Sequence, residues 1–83
     1  MKKSQYDIIL KAMLENKKRI WWSAKDFQHE PYFVGYEASA RMSELFQKYD
    51  DLFIVGRDGR FRILSINWES EEVENQLKRL ELI

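Results

Sequence analysis

The chain has 83 residues, 14 basic and 14 acidic side chains, one histidine and no cysteine, so its formal net charge is zero. That length supports one small domain with a modest core, and 45% hydrophobic with 34% charged residues argues for a folded chain over a disordered one. No apolar run approaches the roughly 18 residues that span a bilayer, and the missing cysteine excludes disulfides and thiolate metal sites and makes a reducing cytoplasm the expected compartment.

Lys2 and Lys3 precede no long apolar core, so the start is not expected to act as a signal peptide. Ser4 and Asp7 have capping-box spacing, and Tyr6, Ile9, Leu10, Met13 and Leu14 recur on one helical face. They predict a helix from about residue 4 to 16. Lys17, Lys18 and Arg19 close it with cations, as the helix dipole favours. Ile20-Trp21-Trp22 is β-branched and aromatic and suits a brief strand. Its two tryptophans would point to opposite faces, one into the core, the other either covered by the C-terminal helix or exposed as a contact surface. Ser23 and Asp26 repeat the capping box and predict a short helix to about Gln28, stopped by Glu30-Pro31.

A loop over Tyr32-Phe33-Val34-Gly35 leads to a third helix, opened by Gly35 or Tyr36 and closed by Asp50-Asp51. Its core face is Ala38, Met42, Leu45, Phe46 and Tyr49. The opposite face is small: Ser39, Ala40 and Ser43, with Arg41 on the flank. An ordinary solvated face carries Glu, Lys and Gln, so a trimmed one raises the question of what it touches.

Leu52–Val55 and Phe61–Ile66 read as strands. Asp58-Gly59 between them signals a hairpin with a type I′ turn. A turn centred there opposes Arg57 to Arg60 and Val55 to Arg62. Three arginines crowd the tip, either to meet an anion or to guard an exposed edge. Glu69-Ser70-Glu71-Glu72 suits a helix start, and Val73, Leu77 and Leu80 follow at i, i+4 and i+7 as far as about Leu82. That stripe either packs on its own chain or forms a homodimer seam, with Glu74 and Lys78 as an i, i+4 pair beside it. The expected organisation is a domain over residues 1–68 and a C-terminal helix over 69–83.

Helix, short strand, helix, helix, strand, turn, strand is the order of an α+β winged helix-turn-helix, a three-helix core with a β-hairpin wing. The run Ser39-Ala40-Arg41-Met42-Ser43-Glu44-Leu45 resembles the groove-entering helix of winged-helix DNA-binding domains of bacterial and phage regulators. The resemblance covers residues 4 to about 66. It implies sequence-specific binding of double-stranded DNA by a small transcriptional regulator. The helix would enter the major groove, with Tyr36, Glu37, Ser39, Ala40, Ser43, Glu44 and Gln47 facing the bases. Arg41 and Lys48 would flank it at phosphates, and Arg57, Arg60 and Arg62 would act from the wing. Serine can read several bases and glutamine can bond adenine, whereas Glu37 and Glu44 repel phosphate. The stretch from Gln28 to Gly35 is longer than the usual turn between such helices.

Charge is segregated: residues 1–29 carry +4, 30–50 carry −2, 51–68 carry +1 and 69–83 carry −3. A zero total therefore neither requires nor excludes a polyanionic partner. The rival reading is a winged-helix module for a protein partner, through Tyr32, Phe33, Tyr36 and the acidic tail, or a subunit of a replication or recombination complex. An enzyme is not expected. His29 has no second histidine for zinc and no nucleophile pattern beside it, and Gly56 and Gly59 belong to a hairpin, not to a phosphate loop. No cofactor is implied.

Overall fold

The computed structural model describes residues 4–29, 34–35 and 37–82. Helix α1 spans Gln5–Glu15. Ser4 caps it, its hydroxyl accepting from the Asp7 amide at 3.1 Å. Only this half of the capping box forms, because the Asp7 carboxylate is drawn off to Arg79 at 2.8 Å. Ile9, Leu10 and Met13 are buried on the α1 face that spacing predicts.

The brief strand contracts to one bridge. Trp22 exchanges two 2.8 Å backbone hydrogen bonds with Leu64. Trp22 is buried and stacks on Phe27, centroids 5.5 Å apart. The predicted second helix is a single 3-10 turn, Ala24–Phe27, held at its start by the Ser23 amide donating to Asp26 Oδ2 at 2.7 Å. The amides of Val34 and Gly35 both donate to the Phe27 carbonyl, so the chain returns to that turn before α2. Helix α2 spans Ala38–Lys48 and buries Ala38, Met42 and Leu45; Phe46 and Tyr49 pack at the margin of the core. Glu30, Pro31, Tyr32, Phe33 and Tyr36 lie outside the described residues, and so do the readings placed on them.

Strands β1 (Phe53–Asp58) and β2 (Phe61–Ile66) form an antiparallel hairpin. The expected register is corrected. Arg57 opposes Arg62, Val55 opposes Leu64, and Asp58 opposes Phe61. The two-residue turn is Gly59-Arg60. Gly59 has φ +62° and Arg60 is not in the positive-φ region, the pattern of a type II′ turn with glycine first. Asp58 belongs to the ladder, and this register lets Phe53, Leu64 and Ile66 share one inward face with Trp22. Trp21 is turned to the opposite face. It is not covered by the C-terminal helix but lies across Gly56, where an added Cβ would sit 2.8 Å from its ring.

Helix α3 spans Glu71–Arg79. Val73 is buried in the common core, with Leu77 and Leu80 packed against it. Of the two uses its spacing left open, the stripe of Val73, Leu77 and Leu80 thus packs within the chain. A hydrogen-bonded series, Glu72 to Gln76 to Arg79 to Asp7, ties α3 to α1. At the start of α3 the buried Ser70 hydroxyl donates to Asp51 at 2.6 Å and accepts from the Glu72 amide at 3.1 Å. Ser70→Ala is expected to cost about 1–2 kcal/mol, since it removes a cap and leaves Asp51 short of a donor; urea unfolding measures it. Among the described residues no helix is long and apolar enough to cross a membrane.

Candidate functional site

The groove between α2 and the hairpin is lined by three cationic side chains and no acidic one. Ser39 and Ser43 line it from α2, Arg57, Arg60 and Arg62 from the hairpin, Ala24 from the 3-10 turn, with Met42 and Leu64 among its apolar lining. Its volume is about 280 Å³. The pleat explains the placement. Arg62 shares the inward parity of Leu64 and Ile66 but lies beyond the core, and Arg57 opposes it directly. Like charges in opposed positions destabilise a hairpin. None of the three arginines forms an ion pair among the described residues. A positive, serine-lined groove of this kind suits an anion. Beside it lies a second recess of about 270 Å³, which shares Ser39 and Arg62, and there Lys25 Nζ sits 4.4 Å from the Phe61 ring centre.

The other predicted residues divide around α2. At about 100° per residue, the order across its outer surface is Ser39, Ser43, Gln47, Ala40, Glu44, Lys48, Arg41. Ser39 and Ser43 meet the groove. Ala40 and Gln47 are exposed on the outer ridge. Lys48 and Glu44 line a separate cleft with Tyr6, Asp7 and Arg79, away from the hairpin.

Arg41 lies outside this groove and is held by side chains of its own chain. Its guanidinium donates to the Tyr6 hydroxyl at 3.1 Å and to Glu44 at 3.2 Å, and it lies 3.8 Å from Glu37. The Tyr6 hydroxyl in turn donates to Glu44. The hydrogen bond to Tyr6, followed by the fields of Glu44 and Glu37, raises the Arg41 pKa against partial desolvation. Its charge is thus engaged in joining α1 to α2. The same contacts partly neutralise Glu37 and Glu44, the two carboxylates that counted against an anionic partner. Arg41→Ala is expected to lower the melting temperature, because it removes the link between α1 and α2; a calorimetric scan measures the loss.

Sequence reasoning missed Tyr6 as the partner of Arg41 and Ala24 as a groove wall. Strand parity could have placed Arg62 beside Leu64, but no local signal joins Arg41 to Tyr6, 35 positions away. Among the described residues no group of three or more His, Asp or Glu side chains is arranged to hold a metal. Comparison with protein-family models, with curated proteins and with solved structures finds no match to this chain.

Proposed function

We propose that the chain is a winged-helix domain that binds double-stranded DNA, in the service of a small transcriptional regulator. The observation that carries this reading is the groove where Ser39 and Ser43 face three arginines without an acidic partner. Base contacts come from the small and polar arc of α2: Ser39, Ala40, Ser43 and Gln47. Short side chains let the helix backbone approach base edges, while serine and glutamine supply both donors and acceptors. The hairpin arginines hold the adjacent phosphates, which fixes register without reading sequence. A phosphate between Arg57 and Arg62 also relieves their mutual repulsion.

Three phosphate contacts give a modest electrostatic term, in keeping with a chain of zero net charge. Fluorescence anisotropy of a labelled random duplex, titrated over salt, tests the reading. Binding with a log–log salt slope of about −3 is expected. No binding at about 50 mM salt would remove DNA as the partner.

A further inference from the structure

We infer that the free edge of β1 pairs two copies of this chain into a closed dimer. The hydrogen-bond pattern decides which groups that edge presents. Leu64 uses both its N–H and its C=O on Trp22. In an antiparallel ladder, opposed residues alternate between bonded and non-bonded pairs. Leu64–Val55 is therefore non-bonded, and the bonds between β1 and β2 fall at Ile54–Ser65 and Gly56–Ile63. The N–H and C=O groups of Phe53, Val55 and Arg57 then point outward, and among the described residues no strand pairs with them.

Edges of this kind are ordinarily protected by lysine, proline or a bulge. Here the middle of the strand is Ile54-Val55, both exposed, at 48% and 42%. The arginines sit at the tip and leave that middle open. The occupant that fits is a second copy, because the edge is self-complementary. A two-fold axis at Val55 pairs Val55 with itself and Phe53 with Arg57 of the second copy, so every outward group finds a partner. It brings Ile54 opposite Gly56 of the second copy, beside the half-exposed Trp21 that lies across that glycine.

The pairing stops at two copies. The opposite edge, on β2, is already capped at Leu64 by Trp22, so no second edge of the same kind remains. A two-fold perpendicular to the sheet also keeps both α2 helices on one side. The inference does not depend on what the groove binds.

Sedimentation velocity of the full chain at about 100 μM, with and without Val55→Pro, is the test. Proline removes an outward N–H that the hairpin does not use. The expected result is a dimer for the native chain and a dissociation constant raised about 10-fold or more for Val55→Pro. A second variant guards against misfolding. The chain has no cysteine, so Val55→Cys should form a disulfide dimer under mild oxidation. The paired Cα atoms, about 5.5 Å apart, suit that bond, and Glu74→Cys on α3 should not form one. A monomeric native chain, open-ended polymers, or equal cross-linking at the two positions would overturn the inference.

Discussion

Replacing Arg57, Arg60 and Arg62 together with alanine is expected to weaken duplex binding by about 100-fold or more at about 50 mM salt. Specific and random sequences should lose equally, since phosphate contacts carry no sequence information. The log–log salt slope should flatten by about 2.7, at about 0.9 for each phosphate no longer neutralised. A second effect has the opposite sign. Arg57 and Arg62 are opposed across the hairpin without an acid between them, so Arg62→Ala alone should leave the free protein as stable or slightly more stable, most visibly at low salt. A ligand site built at the expense of stability gives that pair of signs. Arginines that merely decorate an edge would change solubility and leave affinity alone.

Trp22→Ala is expected to cost about 3–5 kcal/mol, whereas the neighbouring Trp21→Ala costs under about 1.5 kcal/mol. Trp22 is 1% exposed, stacks on Phe27 and pairs with Leu64. Its removal opens a cavity between the sheet and the turn that precedes α2. Trp21 is 41% exposed and rests on the outer face of the hairpin. Small domains are stable by only about 5–15 kcal/mol, so the first variant forfeits much of its stability and the second little. Urea denaturation of both variants measures the difference. Equal losses would mean that the outer face is as tightly packed as the core.

Elements with strong local signals were legible in the sequence. Ser4 and the periodic face of α1, the apolar face of α2 and the two hairpin strands all follow from spacing that each segment carries itself. The hairpin register was not legible. Asp58-Gly59 satisfies the local rule for a type I′ turn, but the inward face of Leu64 and Ile66 and the bridge to Trp22 favour a turn at Gly59-Arg60, with Asp58 in the ladder. A one-residue shift turns every side chain over, and only the whole core selects between the alternatives. The site was legible in part. Ser39, Ser43 and the three arginines, each singled out from the sequence, line one groove. Arg41 and Lys48 do not join them, because their arc of α2 faces α1 and α3. The stripe on α3 is apolar, as its spacing indicates. What it packs against depends on α1 and on Leu52 lying beneath it, which no window of local sequence contains.

Amide chemical-shift mapping of the labelled protein with a duplex puts the groove itself to the test. The largest shifts are expected on Ser39, Ala40, Ser43 and Gln47 and on Arg57, Arg60 and Arg62, while α3 from Glu71 to Arg79 stays unmoved. Shifts confined to Trp21 and Ile54 on the outer face of the hairpin, or to the cleft of Tyr6 and Lys48, would rule out DNA binding through the groove.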